Sequence, residues 1–210
     1  MSKALQPGPE EIFAAFTARC QACRACDLAE TRRNVVVYRG AIQAPLVILG
    51  EGPGADEDAT GLPFVGRSGK LLNYLLLANG FQEEDYHIAN IVKCRPPQNR
   101  RPRPEEAQAC RRLLEEQLSL VGARYLFLLG SSAYQYLTGE KGSISRMRGQ
   151  FFKYQSCRAL ASFHPAYILR DNRQRIHLWN DICQLRRAME EDGLLAPLSF
   201  QPEMPQGSMR

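Results

Sequence analysis

Five cysteines carry the clearest chemical signal in this 210-residue chain. Cys20, Cys23 and Cys26 follow one another at intervals of three, and Cys94 and Cys110 lie far downstream. A Cys-x-x-Cys pair such as Cys23 and Cys26 lets one turn of chain offer two thiolates to a single metal centre. Cys94, at a predicted strand end, and Cys110, in the helix predicted to follow, can each add one ligand. Four thiolates suit zinc or a cubane iron–sulfur cluster, and softness alone does not choose between them. Cys20 is either a thiol packed on its helix or a substitute ligand. The surroundings of these five read as arginine-rich and exposed, which favours thiolate over thiol. Cys157 and Cys183 read as small buried hydrophobes.

Charge gives a second signal. The net charge is +5 and the sequence pI is near 8.9, which suits a polyanionic partner. Residues 93–112 hold seven cations (Lys93, Arg95, Arg100, Arg101, Arg103, Arg111, Arg112) against Glu105 and Glu106, an excess equal to that of the whole chain. Beside a candidate metal site such a run is a candidate phosphate-contacting patch.

These groups need elements to position them. Apolar spacing predicts helices over 9–23 and 70–79, with Gly80 as a stop, and another from Pro104 to about Leu120. A short helix passes through Tyr134 and Leu137, and a long one covers 173–190. Short apolar runs predict strands over 44–49, 86–92, 125–129 and 158–163. Strands alternating with helices imply one α/β domain with a mainly parallel sheet, over residues 1–191, followed by a loose tail over 192–210. Ligands bind at the carboxyl ends of such strands. Three unusual segments start there: Gly50-Glu51-Gly52-Pro53-Gly54, Asn90, and His164-Pro165. Of three histidines, His87 and His177 fall in a predicted strand and helix, where structural roles are expected.

Hydrophobic residues make up 44% and charged residues 23%, which excludes wholesale disorder. No apolar run approaches the roughly 20 residues needed to span a bilayer. Residues 1–11 lack the apolar centre of a signal peptide, so a cytoplasmic protein is expected. In that reducing setting cysteines read as ligands, catalytic groups or core residues rather than disulfides.

Four segments, taken in order, resemble the family 4 uracil-DNA glycosylases. They are Gly50-Glu51-Gly52-Pro53-Gly54 with Glu57-Asp58, Gly61-Leu62-Pro63-Phe64-Val65-Gly66-Arg67-Ser68-Gly69, Asn90-Ile91-Val92-Lys93-Cys94-Arg95-Pro96-Pro97, and Phe163-His164-Pro165-Ala166-Tyr167-Ile168-Leu169-Arg170. Cys23-x-x-Cys26-x-Leu28-x-x-x-Arg32 resembles the N-terminal cluster motif of that family, and the likeness runs over residues 20–190. It implies a three-layer α/β/α sandwich around a four-stranded mainly parallel sheet, and a 4Fe–4S cluster on Cys23, Cys26, Cys94 and Cys110, with Cys20 outside.

The resemblance also implies roles. Uracil must be flipped out of the stack into a pocket before its glycosidic bond is cut. Phe64 would stack on the base, Asn90 would read its edge, and His164 would stabilise the departing anion, helped by the backbone at Glu51 and Gly52. Many relatives carry an aspartate at position 52 to orient water; here it is Gly, which leaves Glu51, the preferred candidate, and Glu57. Leu169 would wedge into the duplex, Arg170 would contact phosphate, and Arg100 and Arg101 would hold the backbone of single- or double-stranded DNA as a monomer. No histidine lies between Lys93 and Cys110, which argues against a relative that bonds covalently to its product. Two other readings account for the cysteines: an iron–sulfur electron-transfer or redox-sensing protein, and a zinc-dependent nucleic-acid binder without chemistry.

Overall fold

The computed structural model describes residues 7–205. The chain begins with α1 (Pro9–Gln21) and the single turn α2 (Leu28–Thr31), then β1 (Arg39–Gly40) and β2 (Leu46–Gly50). Two helices, α3 (Ala55–Thr60) and α4 (Arg67–Ala78), lead to β3 (Tyr86–Asn90). Next come α5 (Pro104–Val121), β4 (Tyr125–Leu129), α6 (Ser131–Thr138) and the short α7 (Ile144–Met147). The hairpin of β5 (Phe151–Tyr154) and β6 (Cys157–Ser162) runs into α8 (Pro165–Arg170) and α9 (Arg175–Glu191).

The central strands read as continuous apolar runs because both their faces are covered. Leu46, Ile48, Ile88, Phe127 and Leu160 pack with Leu72, Leu75 and Leu76 of α4 and with Leu178, Ile182 and Leu185 of α9. Their neighbours in sequence, Val47, Leu49, Ala89, Leu126, Leu128 and Ala161, face the other way, against Phe13 and Phe16 of α1 and Leu114 of α5. Each fully buried Leu or Ile contributes about 1.5–3 kcal/mol, so the two alternating faces fix the register of every strand.

The sheet has six strands, in the order β1-β3-β2-β4-β6-β5, which corrects the expectation of four. The four expected strands form its centre and pair in parallel. Both additional strands lie at the edges and run antiparallel to their neighbours. Two residues of β1 are too few to show a period. The β5–β6 turn is built on Gln155 at φ 50°, with no Gly or Asn to mark it.

From β2 the chain crosses first to β3 on one side and later to β4 on the other, which opens a crevice at the carboxyl ends. Register aligns Gly50 with Asn90 there, and Leu129 with Ser162, two residues before His164. The stretch after α9, expected to be loose, makes defined contacts as far as it is described. Leu195 is buried, the Tyr125 hydroxyl donates to Asp192, and Arg186 donates to the Ala196 carbonyl. The last five residues of that expected tail, like the first six of the chain, lie outside the described residues. Among the described residues no helix is long and apolar enough to cross a membrane.

Candidate functional site

Phe64, Asn90 and His164, from three different loops and strand ends, line one cleft of about 620 Å³. The ring centroids of Phe64 and His164 are 5.7 Å apart, with planes inclined by 33°. Close backbone approach makes this possible. A Cβ at Gly50 would lie 2.5 Å from Asn90 Oδ1 and 2.7 Å from Phe64 Cζ, and one at Gly69 would fall 1.8 Å from the Phe64 carbonyl oxygen. Phe64 itself sits in the left-handed region at φ 55°. Asn90 is buried at the end of β3, and its carboxamide has no partner among the described residues, so its donor and acceptor are both free for a ligand.

His164 caps α8. Pro165 has no N–H to offer, and the Ala166 N–H donates to His164 Nδ1 at 3.1 Å. That bond puts the imidazole proton on Nε2. Burial, and then the nearby Arg170, push its pKa down to about 4, so the ring is neutral at pH 7. A neutral imidazole with a fixed tautomer is thus a preset N–H donor at the cleft. His87, by contrast, is fully buried with both ring nitrogens engaged, one on the Ala41 carbonyl at 2.7 Å and one on the Gln117 amide at 2.9 Å.

The two candidate carboxylates differ sharply. Glu51 lines the cleft, partly exposed, and its carboxylate has no partner among the described residues. Glu57 also touches the cleft, but its oxygens accept backbone N–H bonds from Gly54 at 3.0 Å, Val65 at 3.0 Å and Gly66 at 2.9 Å. It clasps the loop that carries Phe64. Gly52 lines the same wall, where a Cβ would meet Val92 Cγ2 at 2.8 Å.

The basic run is less free than its composition suggests. Arg100 lines the cleft, yet its guanidinium grips the buried Glu106 carboxylate at 2.6 and 2.8 Å. That pairing holds the Glu106 carboxyl below the usual carboxylate range. Arg101 lies outside the cleft, over the Tyr136 ring at 4.9 Å and bonded to Gln135. Lys93 is buried. In α8, Arg170 and Tyr167 line the cleft, while Leu169 stands beside them, exposed.

A second cavity is lined by Cys20, Cys23, Cys26, Cys94 and Cys110 together with Arg32 and Lys93. α1 ends at Gln21, so Cys23, expected on that helix, lies with Cys26 in the stretch after it. Arg32 donates to Cys94 Sγ at 3.2 Å and to the Cys23 carbonyl at 2.6 Å, which ties the N-terminal turn to the loop after β3. Cys20, Cys94 and Cys110 are buried rather than exposed as expected, while Cys23 and Cys26 are half-buried, and burial pushes the Cys94 thiol up to about 11. Among the described residues no group of three or more His, Cys, Asp or Glu side chains is drawn together into a ready metal site. The donor set still fits a soft metal centre, because the cavity offers sulfur ligands only. Cys157 and Cys183 stand apart, bonded to the Ala123 carbonyl and to Asn79.

Sequence reasoning did not single out Gly130, Ser131, Ser132 and Ile144 as cleft residues, although they line it. Gly130, at φ 92°, was legible only as the end of a strand. A Cβ there would stand 3.1 Å from His164 Cβ, so it leaves room for the imidazole.

Residues 37–185 match the model of the uracil DNA glycosylase superfamily. A type-4 uracil-DNA glycosylase of Thermotoga maritima is 39% identical over 188 residues, which cover 88% of this chain and 98% of that protein. The Archaeoglobus fulgidus type-4 enzyme is 40% identical over 155 residues, 70% of this chain and 78% of its own. A third, from Sulfurisphaera tokodaii, is 34% identical over 173 residues, covering 78% and 79%. With the cleft, the thiol cavity and the ordered segments all present in one chain, these matches make it a member of the uracil DNA glycosylase superfamily and, within it, of the type-4 uracil-DNA glycosylases.

Proposed function

We propose that this chain hydrolyses the N-glycosidic bond of deoxyuridine in DNA, releasing uracil and leaving an abasic site for base excision repair. One observation carries the reading: Phe64 and His164 face a single cleft 5.7 Å apart, beside a carboxamide with both polar ends unengaged.

The everted uracil stacks on Phe64, and the Asn90 amide pairs with a carbonyl and the ring N–H, the groups that distinguish uracil from cytosine. As the bond to the sugar breaks, its electron pair moves onto the base. The Nε2–H of His164 donates to the uracil carbonyl nearest that bond, where the negative charge grows, and a preset donor of this type is worth about 3–4 kcal/mol of barrier. Gly52 lets the backbone approach the base without a side chain. The free carboxylate of Glu51 orients water toward the anomeric carbon and opposes the positive charge there, with DNA phosphates contributing. Glu57 acts as a positioning residue for the Phe64 loop.

Leu169 fills the vacated stack, while Arg170, Arg100 and Arg101 engage the DNA backbone. Of these cations, Arg100 presents a guanidinium already fixed by Glu106. Cys23, Cys26, Cys94 and Cys110 would hold a 4Fe–4S cluster, which supplies a structural clamp on the N-terminal turn and the basic loop. Clamping both ends of that loop lowers the entropy cost of ordering it on phosphate. The chain works as a cytoplasmic monomer on uracil-containing DNA, single- or double-stranded.

The test is to incubate iron-loaded protein with uracil-containing oligonucleotides of both kinds. Free uracil and alkali-labile breaks are expected, with no protein–DNA adduct surviving denaturation. No cleavage of either substrate would move the reading to an electron-transfer or redox-sensing protein. Colourless, zinc-containing, iron-free protein would replace the cluster with a zinc site.

A further inference from the structure

We propose that Lys93 is a positioning residue that ties the thiol cavity to the base-reading Asn90, so that the state of the cavity is felt at the uracil edge. The inference rests on the role of Asn90 proposed above. Lys93 is 1% exposed, which is rare for an ammonium group because a buried charge must be compensated. Among the described residues no carboxylate pairs with it. Its Nζ donates instead to the Asn90 carbonyl at 2.8 Å. Lys93 also lines the thiol cavity with Cys20, Cys23, Cys26, Cys94 and Cys110. The residue therefore stands between the sulfur cavity and the backbone of the base reader.

The bond fixes more than a neighbour. Just past Asn90 the sheet pairing continues through Ile91 N–H to the Gly50 carbonyl at 2.9 Å and Val92 N–H to the Glu51 carbonyl at 3.2 Å. These bonds hold the chain beyond the strand. The Lys93 ammonium holds the Asn90 carbonyl that precedes them, and with it the rotation of the residue whose side chain lines the cleft. The Lys93 carbonyl is itself fixed by the Val36 N–H at 2.8 Å, so the stem of the lever is anchored. With a metal centre bound, its thiolate ligands would supply negative charge to compensate an ammonium in this interior.

The test compares K93M, K93R, N90A and K93M/N90A with the unaltered full chain, all iron-loaded. Iron and sulfide per chain, visible absorbance, kcat, KM, inhibition by free uracil and affinity for abasic DNA are measured. K93M is expected to weaken uracil inhibition at least tenfold and to raise KM more than it lowers kcat, with abasic-DNA affinity unchanged. K93R, whose guanidinium is larger and planar, is expected to keep its iron and shift uracil inhibition about threefold. In the N90A background K93M should add nothing further to the loss of uracil inhibition.

Uracil inhibition equal to the unaltered chain in K93M overturns the proposal, and if K93M does not fold the same result in K93R does so. Loss of iron from K93M with uracil inhibition intact assigns Lys93 to the cavity alone and also overturns it. Additive losses in the double variant overturn it too, because Lys93 then does not act through Asn90. If N90A alone leaves uracil inhibition unchanged, the role of Asn90 fails first and the proposal falls with it.

Discussion

Two histidines, His87 and His164, share one electrostatic condition and differ in everything that matters for chemistry. Burial pushes each down to about 4, so both rings are neutral at pH 7. His87 spends both ring nitrogens on protein partners and stacks against Tyr38 with centroids 5.0 Å apart. His164 spends only one, on the N–H of its own helix, and turns the other toward a cleft. A shifted pKa therefore does not separate the imidazole proposed as catalytic from the structural one; an unspent valence at a cavity does. The same criterion divides the carboxylates, with Glu57 committed to three backbone N–H groups and Glu51 to none.

Breaking that contrast starts with the largest effect. H164A should lower kcat on uracil-DNA by about 10²–10³-fold while thermal stability changes little. If kcat falls less than tenfold, the imidazole is not the main anion stabiliser. E51Q should cost about 10–100-fold in kcat at constant KM, as expected for a water-orienting base. E57A should instead lose Tm and activity together, because it frees the loop under Phe64. H87M should leave kcat unchanged but leave one Gln117 amide N–H and the Ala41 carbonyl without a partner, at about 1–3 kcal/mol of stability in denaturant unfolding.

The smallest effect sharpens the shared condition. Each histidine has a folded pKa near 4 against an ordinary 6.5, so between those values the unfolded chain binds more protons. Stability contributed by this pair is fully present above pH 6.5 and declines as pH falls toward 4, where the decline ends. A kcat profile without an inflection near 6.5 should accompany it, since His164 stays neutral down to about 4. An inflection near 6.5 that disappears in H164A would show an imidazole exposed to solvent.

Much of this was legible in the sequence for physical reasons. The four central strands announced themselves because both faces are buried, and short unbroken apolar runs such as 46–49 and 125–129 are the pattern that two covered faces demand. Segments bearing Phe64, Asn90 and His164 were legible as loops and strand ends, and topology sent them to one rim of the sheet. Side-chain commitments were not legible. Composition counts Arg100 as a free cation, but its pairing with Glu106 depends on how the loop folds back onto α5. Only the spacing of Glu57 three residues after Gly54, a helix-capping position, sets it apart locally from Glu51. The edge strands escaped because pairing with β3 and β6, rather than intrinsic pattern, makes them strands.

The left-handed backbone at Phe64 narrows what that position can become. Asparagine or glycine would rest there easily but would remove the surface on which the proposed stacking of the base depends. Valine and isoleucine, with two heavy branches at Cβ, would crowd the turn before any base arrived. Only a flat, unbranched aromatic satisfies both demands, so a library randomised at codon 64 and selected for repair should return phenylalanine, tyrosine or tryptophan and little else.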